Sequence, residues 1–444
     1  MYIHNVLVQK ALRTALPLCA LVIFSFTFQF VAQAAERPQS FNMVQAVNKA
    51  LAENFRIGSA ESELEYYESN RKGALGNFGP SLSTTYGWTR QQHLNDDVYT
   101  WRFDLDQEIF SGFSTLAGYQ KAALQKDNAE AKLAQARISL VLEVQQNFLM
   151  YLTAEANVRS AQDSYNRLAE QHKVTRSFYE VGLRPRVEVL QAEVNVLEAE
   201  DLLLQNRNKV ETLRVRLNTL LNIPPDKDVN YLGSLDYIPF EGTLDVCLNK
   251  AYGQRPDMIM ARKSVEISEK DKDIARSDFY PTVSGTASWY TRGDDLKASG
   301  GTSDSPNNRE AWSVGLQARL SLFESGRHYY NTQKAGHNVT KVKADELNLR
   351  QEVVYEVQSR LLDLDNALKR IVVARKNVES ATEAYRVAYA RYTSQVGTSI
   401  DVLDAQSRLT SAEVSFTQAQ ADYLSALAAL YSAIGEENPS LRMR

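Results

Sequence analysis

Hydrophobic residues at helical spacing occupy most of the chain, and two of the segments that carry them are very long. Residues 113–181 and 327–395 each run for 69 residues without a proline. At about 1.5 Å per residue, each predicts a helix of about 100 Å. A helix of this length cannot be buried in a compact core. We therefore expect an extended coiled-coil rod or α-barrel, with an ordinary amphipathic bundle as the alternative.

The apolar residues within these segments are three and four positions apart, as in coiled coils. They are Val141, Val144, Phe148 and Tyr151 in the first segment, and Val354, Val357, Leu361, Leu364, Leu368 and Ile371 in the second. Such a stripe needs a facing helix. The segments 40–76, 186–222, 242–278 and 399–435, of 37 residues each, predict helices of about 55 Å that supply it. Two of them end to end match one long helix.

Two further segments, about 81–110 and 282–323, alternate apolar and polar residues with the period of a β-hairpin. The apolar members are Leu82, Tyr86, Trp88, Trp101, Phe103, Leu105 and Ile109, then Trp312, Val314, Leu316, Leu320 and Leu322. Strands of this length match the ~9–11 residues that cross a membrane as tilted β-strands. A soluble sheet with one wet face shows the same alternation, so the pattern leaves both possibilities open.

Four strands are too few to close a barrel, and an open edge in hydrocarbon leaves backbone groups unpaired. Membrane insertion therefore requires several copies of the chain. Two copies would give eight strands, whose side chains fill the interior, whereas three would give twelve and leave a lumen. With the polar tips 91–97 and 292–311 outside, the helices would extend into the periplasm.

The chain is a tandem duplication. Val47-Asn48-Lys49-Ala50 recurs as Leu248-Asn249-Lys250-Ala251, and further identities keep the same offset. We divide the chain into a first repeat (35–222), a linker (223–241), a second repeat (242–435) and a C-terminal tail (436–444). Each repeat is expected to read helix, β-hairpin, very long helix, helix.

The first 34 residues have the pattern of an export signal. Lys10 and Arg13 precede an apolar stretch, and Ala32-Gln33-Ala34 predicts cleavage before Ala35. An uncleaved membrane anchor is the alternative. The residues before Cys19 lack the small side chains of a lipidation signal.

Composition argues against a nucleic-acid partner and against an internal disulfide. The formal net charge is -4, so the chain lacks the basic excess of a nucleic-acid-binding protein. Cys247 would be the one cysteine left after cleavage, and it cannot form an internal disulfide. Stability must therefore come from packing or assembly.

The chain resembles the TolC-like outer-membrane efflux family over residues 41–435. The resemblance rests on the duplicated plan, on the segments that enter the long helices and on the turns that follow them. These segments are Phe110-Ser111-Gly112, Phe323-Glu324-Ser325-Gly326, Val181-Gly182-Leu183, Glu188-Val189-Leu190-Gln191-Ala192, Val396-Gly397-Thr398 and Asp401-Val402-Leu403-Asp404-Ala405-Gln406.

This resemblance implies a mainly α-helical fold with a small membrane β-barrel part. In it, a homotrimer forms a twelve-stranded barrel, four strands per chain, and a long periplasmic α-helical tunnel. The implied function is passive export of small molecules or proteins across the outer membrane of a Gram-negative bacterium, in tripartite efflux or type I secretion. The implied partners are outer-membrane lipid, a periplasmic adaptor (membrane fusion) protein and an inner-membrane transporter of the ABC, RND or MFS class. The alternative is a non-channel periplasmic coiled-coil protein with a structural or interaction role.

The turns that end the long helices hold the candidate functional residues. Asp401 and Asp404 share a helix face, and in a trimer they would form stacked carboxylate rings that favour cations. The resemblance places them, with Glu188, at a closed periplasmic entrance. Ordinary capping of a helix by Thr398 and Asp401 is the alternative.

Four further residues at these turns are expected to contact the adaptor: Val181, Gly182, Val396 and Gly397. Aligning the two glycines makes the second turn two residues shorter than the first. It also leaves Arg184 and Arg186 as the candidates for a basic partner of Glu188.

Nothing in the sequence points to catalysis. The histidines are scattered, and the chain has no His-Glu-x-x-His, Gly-x-Ser-x-Gly or phosphate-binding loop pattern. We therefore expect neither an enzyme nor a bound cofactor or metal.

Overall fold

The computed structural model describes residues 39–91, 96–298 and 309–441. The predicted export signal and its cleavage site lie outside the described residues, as do 92–95 and 299–308 in the expected strand tips.

Eight helices and six strands follow one another in the described residues. The helices are α1 Met43–Glu53, α2 Phe55–Gly76, α3 Ser114–Glu180, α4 Arg186–Leu220, α5 Leu244–Gln254, α6 Pro256–Ser277, α7 Arg327–Thr393 and α8 Ser399–Ala433. The strands are β1 Gln39–Phe41, β2 Ser81–Gln91, β3 Asp96–Ser111, β4 Val229–Tyr231, β5 Thr282–Gly293 and β6 Arg309–Arg319.

The two halves repeat the same helices at the same lengths. Helices of 11, 22, 67 and 35 residues occur in that order in the first half. The second half has the same four lengths. This confirms the tandem helix–hairpin–long helix–helix order. The exact limits of the repeats and linker stay predictions, and the short strand β4 lies within the predicted linker.

Each expected N-terminal helix, 40–76 and 242–278, is divided into two, so the prediction of unbroken helices is wrong. The breaks fall at Asn54 and Arg255, both in an extended conformation. Asn54 caps α2 by accepting a hydrogen bond from the backbone N–H of Arg56. Pro256 occupies the first position of α6, where its missing N–H costs no helical hydrogen bond.

The two breaks receive the C-terminal ends of α4 and α8. Asn54 Nδ2 donates to the carbonyl oxygen of Leu220 at 2.9 Å, and Arg255 Nη1 donates to that of Ala433 at 2.8 Å. These bonds satisfy carbonyl groups that a helix end leaves without a partner. The shorter helices are therefore joined end to end beside the long ones, as the lengths predicted.

The buried side chains lie along the seams between the long and short helices. One cluster joins α3 to α1 and α4 through Val144, Phe148 and Leu217. A second cluster joins α7 to α8 through Val357, Leu427 and neighbouring residues. The expected stripe on α7 is confirmed with one adjustment: Val353 is buried in the seam, whereas Val354 is only half-buried.

The four long strands form one antiparallel sheet in the order β2–β3–β5–β6. The pairing of β3 with β5 joins the two repeats, and Phe103 lies opposite both Thr84 and Trp289. The register shifts between Glu108 and Phe110, so the predicted strand alternation breaks at that bulge. The last strand ends at Arg319, before the residues expected to continue it to 323.

One face of this sheet is apolar and exposed. Leu82, Val314 and Leu316 are 71%, 74% and 78% accessible, and aromatic residues on the same face are also exposed. The opposite face is polar and includes a hydrogen bond between the hydroxyl groups of Ser288 and Ser313 at 2.8 Å. An apolar face of this size on an isolated chain indicates a lipid or protein contact.

Within the residues that the structure describes, no helix combines the length and the hydrophobicity needed to cross a bilayer.

Replacing Gly112 by alanine should destabilise the protein by about 1–3 kcal/mol. Its φ is +62°, and a Cβ atom there would lie 2.6 Å from the carbonyl oxygen of Ser277. The matched control is Gly118→Ala within α3, where a Cβ atom meets nothing within 4 Å. That change should stabilise by about 0.5–1 kcal/mol. Thermal unfolding followed by circular dichroism measures both, and equal midpoints would contradict the argument.

Candidate functional site

The two turns that follow the long helices have the same length and the same backbone path. Residues 181–185 connect α3 to α4, and residues 394–398 connect α7 to α8. In each, a residue with positive φ (Gly182, +79°; Gln395, +62°) follows the helix end. The next N–H then donates back to the last turn, from Leu183 to Phe178 and from Val396 to Arg391.

Gly182 and Gly397 are consequently not equivalent positions, and the expectation of a shorter second turn is wrong. Gly182 corresponds to Gln395, because both take the left-handed conformation that ends the helix. Gly397 is instead closely packed, since a Cβ atom there would lie 3.2 Å from the Cβ of Arg391. A motif built on glycine misaligned the turns because the left-handed position accepts a residue other than glycine at a modest cost.

Arg184 links the two turns. Its Nη2 donates to the carbonyl oxygen of Gly397 at 3.1 Å, and its Nη1 lies 3.5 Å from Glu188 Oε1. The guanidinium carbon lies 5.5 Å from the centre of the Tyr392 ring, within the range of a cation–π interaction. The sequence offered Arg184 and Arg186 as partners of Glu188, and the structure brings Arg184 to it.

Tyr392 extends the contact between the two turns into the buried interior of the helices. Its side chain is fully buried, and its hydroxyl group shares a hydrogen bond of 2.8 Å with Thr175 Oγ1 on α3. Its ring also meets that of Phe178 edge-on, at 5.9 Å between centres. The sequence did not identify Tyr392 as a residue of this site, since Thr175 lies 217 residues away. We define the tip cluster as Arg184, Glu188, Gly397, Tyr392 and Thr175.

Glu188 is only partly used by the tip cluster. Its Oε2 atom is shielded from solvent and has no hydrogen-bond partner among the described residues. A buried carboxylate oxygen without a donor is uncommon, because its desolvation is not compensated. Glu188 Oε2 can therefore accept one more hydrogen bond.

Thr398 is the N-cap of helix α8, and Asp401 completes a capping box with it. Asp401 Oδ2 accepts hydrogen bonds from the backbone N–H and the hydroxyl group of Thr398, at 3.0 and 2.8 Å. These bonds to Thr398 lower the pKa of the exposed Asp401 carboxyl below its ordinary value. Because the folded-state pKa is lowered, the cap contributes at neutral pH and is lost as the pH falls through that pKa.

Asp404 is exposed one turn further along α8. Its Oδ2 lies 3.0 Å from Arg408 Nε in a solvent-exposed ion pair. Asp401 and Asp404 thus lie on neighbouring turns of α8, each with a partner in its own chain. The prediction that they form stacked rings concerns the assembly and stays a prediction.

The other tip candidates are presented to solvent. Val181 and Val396 are 69% and 67% exposed, and the space beside Gly182 is open. Two exposed valines at the same end of the long helices provide apolar surface for a partner. Their role as adaptor contacts stays a prediction.

The chain matches the family described as outer membrane efflux protein over residues 46–222 and 247–436. The chain belongs to this family. Membership confirms the resemblance read from the sequence and places the protein among the outer-membrane export channels of Gram-negative bacteria. It also favours the channel over the alternative of a periplasmic coiled-coil spacer.

Individual relatives agree with this assignment. The chain is 22% identical to the outer membrane protein TolC of Vibrio cholerae over 414 residues, which cover 89% of this chain and 90% of the relative. It is 23% identical to the alkaline protease secretion protein AprF of Pseudomonas aeruginosa over 340 residues, 75% and 69% of the two chains. The crystal structure of VceC from Vibrio cholerae shares the fold with a TM-score of 0.76 and 20% identity, covering 89% of this chain and 96% of that one.

The family is one of outer membrane efflux proteins, and the described residues of this efflux protein contain no group of three or more His, Cys, Asp or Glu side chains placed to hold a metal ion. His328 Nδ1 lies 3.1 Å from Asp278 Oδ2 at the start of α7, and its ring packs edge-on against Phe279. This histidine therefore has a packing role where α6 meets α7.

Replacing Arg184 by alanine should loosen the α7–α8 turn of this efflux protein. Loss of the bond to Gly397 and of the ring contact should raise amide exchange over residues 394–398 about ten-fold. Hydrogen–deuterium exchange with mass spectrometry measures this rate. Arg186→Ala is the control, because Arg186 is an exposed arginine at the first position of α4, two residues from Arg184. Equal exchange in the two variants would show that Arg184 does not hold the turn.

Proposed function

We propose that three copies of this chain assemble into one conduit that spans the outer membrane and the periplasm. The observation that carries the proposal is the open four-stranded sheet with an exposed apolar face. Its outer strands, β2 and β6, each pair with one neighbour only among the described residues. In hydrocarbon, their free N–H and C=O groups require strands from other copies.

Three copies satisfy this requirement and also leave a passage. Twelve strands enclose a lumen, whereas the eight strands of a dimer are filled by their own side chains. The polar face of the sheet, which includes Arg102, Asp104 and Ser288, would then line water, and the apolar face would meet lipid. Ring closure needs no symmetric contact, because β6 of each copy can pair with β2 of the next.

The helical part supports the same arrangement. Helix α3 packs between α4 and α8, and α8 packs between α3 and α7, so α4 and α7 are the outer helices of the layer. Both carry exposed apolar side chains along their length: Val194, Leu197 and Leu204 on α4, and Leu362, Val372 and Val373 on α7. Contact between α7 of one copy and α4 of the next covers both rows and closes a tunnel.

The direction of the conduit follows from connectivity. Both hairpins are flanked by helices, so all long helices leave the sheet on one side and extend about 100 Å into the periplasm. The two turns form the far end. We propose that the exposed Val181 and Val396 there meet a periplasmic adaptor protein, which connects the conduit to an ABC, RND or MFS transporter. That transporter supplies the energy, and the conduit exports small molecules or proteins passively.

We also propose that the tip cluster holds the periplasmic end closed. Arg184 and Tyr392 connect the turn of one repeat to that of the other, so opening must separate Arg184 from Gly397. The hydrogen bond between Arg184 and the carbonyl oxygen of Gly397 contributes about 1.5–3 kcal/mol, small enough for a bound partner to break.

Val314→Lys should abolish assembly in the outer membrane. A lysine at the middle of a lipid-facing strand costs about 2–4 kcal/mol per chain. The matched control is Ser313→Lys, the adjacent residue on the polar face, which should assemble normally. Gel mobility of unheated, detergent-extracted membranes measures the oligomer. The proposal fails if Ser313→Lys does not form the oligomer while Val314→Lys does.

Asp404→Asn should weaken the block of single-channel current by trivalent cations applied from the tip side. Three aspartates in a ring attract a multivalent cation, and the isosteric amide removes that charge. Asp365→Asn is the control, because Asp365 has a similar exposed ion pair, with Lys369 at 2.6 Å, away from the tip. An unchanged block in Asp404→Asn would exclude this residue from the entrance.

A further inference from the structure

A cavity of about 240 Å³ opens between helices α3, α4 and α8, outside the tip cluster and the sheet. Its apolar lining consists of the buried Leu149 and Leu213 and the exposed Met150. Its polar lining includes Lys209 and Asp422 at the rim, and Asn157, whose Oδ1 is shielded from solvent. A concave apolar site with a few polar groups at its edge is the usual form of a small-molecule site.

The cavity opens on the side of the helical layer away from the linker. Met150 lies about 200° around α3 from both Phe148 and Leu152. Those two residues are covered by the linker, because a Cβ atom on Gly233 would lie 3.0 Å from Leu152 and 3.2 Å from Phe148. The linker and the cavity therefore lie on opposite faces of the layer.

In the proposed tunnel, the linker face must be the outer one. Twelve helix positions about 10 Å apart enclose a bore of roughly 30 Å. Three linkers of 19 residues, 223–241, would obstruct a bore of that width. The face that carries the cavity is consequently the wall of the passage, and this step rests on the proposed function.

The charges at the rim favour an anion. Asp422 is already neutralised by Arg370, at 2.9 Å, and it accepts a hydrogen bond from Gln418 at 2.7 Å. Lys209 is exposed and has no ion pair among the described residues. The free charge at the rim is therefore the ammonium group of Lys209.

Asn157 adds an unfilled hydrogen-bonding position. Its Oδ1 is shielded from solvent and has no partner among the described residues. A buried polar atom without a partner is satisfied when a ligand or an ordered water supplies a donor. A ligand with a hydroxyl or amide group beside its apolar body meets this requirement.

We infer that the cavity is a transient binding site for small amphipathic organic anions that pass along the tunnel. The apolar ring of the ligand lies on Leu149, Met150 and Leu213, and its acid group faces Lys209. One site per chain places three such sites at the same height of the passage. Binding is weak, because a conduit must release what it binds.

Titration of the full-length assembly in lipid nanodiscs tests this inference, with empty nanodiscs subtracted. The probes are 1-naphthoate, 1-naphthalenemethanol and 1-naphthylmethylammonium, which share one ring system and differ in charge. We expect saturable binding of 1-naphthoate at one per chain, with weaker binding of the alcohol and of the cation. Equal titration of all three probes would overturn the inference.

Two variants locate the site. Lys209→Gln should weaken 1-naphthoate binding about three- to five-fold, the effect of a partly exposed ion pair, and should leave the alcohol unaffected. Arg207→Gln removes the same charge from α4 at a residue outside the cavity, and it should change nothing. Met150→Trp fills the cavity and should abolish saturable binding.

The inference fails if Arg207→Gln and Lys209→Gln have equal effects, or if Met150→Trp binds normally. Its failure differs from that of the proposed function. An assembly that conducts ions but binds no 1-naphthoate leaves the conduit intact and excludes the site. Saturable binding to an assembly that does not conduct supports the site and contradicts the conduit.

Discussion

The unpaired backbone at the two edges of a four-stranded sheet is the constraint on which this structure depends. Every N–H and C=O group in hydrocarbon needs a partner, and a single chain cannot supply it for β2 and β6. The apolar face of the sheet also needs a lipid or protein contact, because Val314 and Leu316 are exposed in a single chain. The proposed assembly of several copies would meet both needs, and the lengths and order of the helices are consistent with it.

Duplication explains why the helices of one chain form a layer in which the same lengths occur twice. Corresponding helices in the two halves have identical lengths, although the residues at their ends differ. Asn54 and Arg255 receive the ends of α4 and α8 with different side chains. Likewise, Gly182 and Gln395 occupy the same left-handed position. Helices that pack side by side in one layer need matching lengths. A helix cap needs only a hydrogen-bond donor, or a residue that tolerates the required backbone angle.

The halves differ most at the two turns that we propose close the periplasmic end. Arg184 belongs to the first turn, yet its main partners, Gly397 and Tyr392, belong to the second. In the alignment that matches Gly182 with Gln395, Asp401 corresponds to Glu188 of the first repeat, whereas Asp404 corresponds to the uncharged Gln191. An uneven distribution of charge allows the two repeats to have different roles at the far end of the helices, while the remainder of the layer stays regular. The cavity beside Met150 lies in that regular part, where the side chains of three helices leave a gap.

Local patterns along the chain were enough to predict the class of structure, because periodicity, helix length and duplication can be recognised without knowing the tertiary contacts. The 3–4 spacing around Val357, the alternation around Val314 and the breaker-free segments predicted the long helices and the sheet. The break at Asn54, the bulge near Glu108 and the true alignment of the two turns came only from the tertiary structure, whereas Pro256 marks the break at Arg255 within the sequence. The bulge depends on β5, and the break at Asn54 receives the distant Leu220. The turn alignment depends on the left-handed backbone of Gln395, a position that no glycine marks. The contacts of Arg184 and Tyr392 join residues more than 200 positions apart, and no local pattern encodes which side chains meet across that distance.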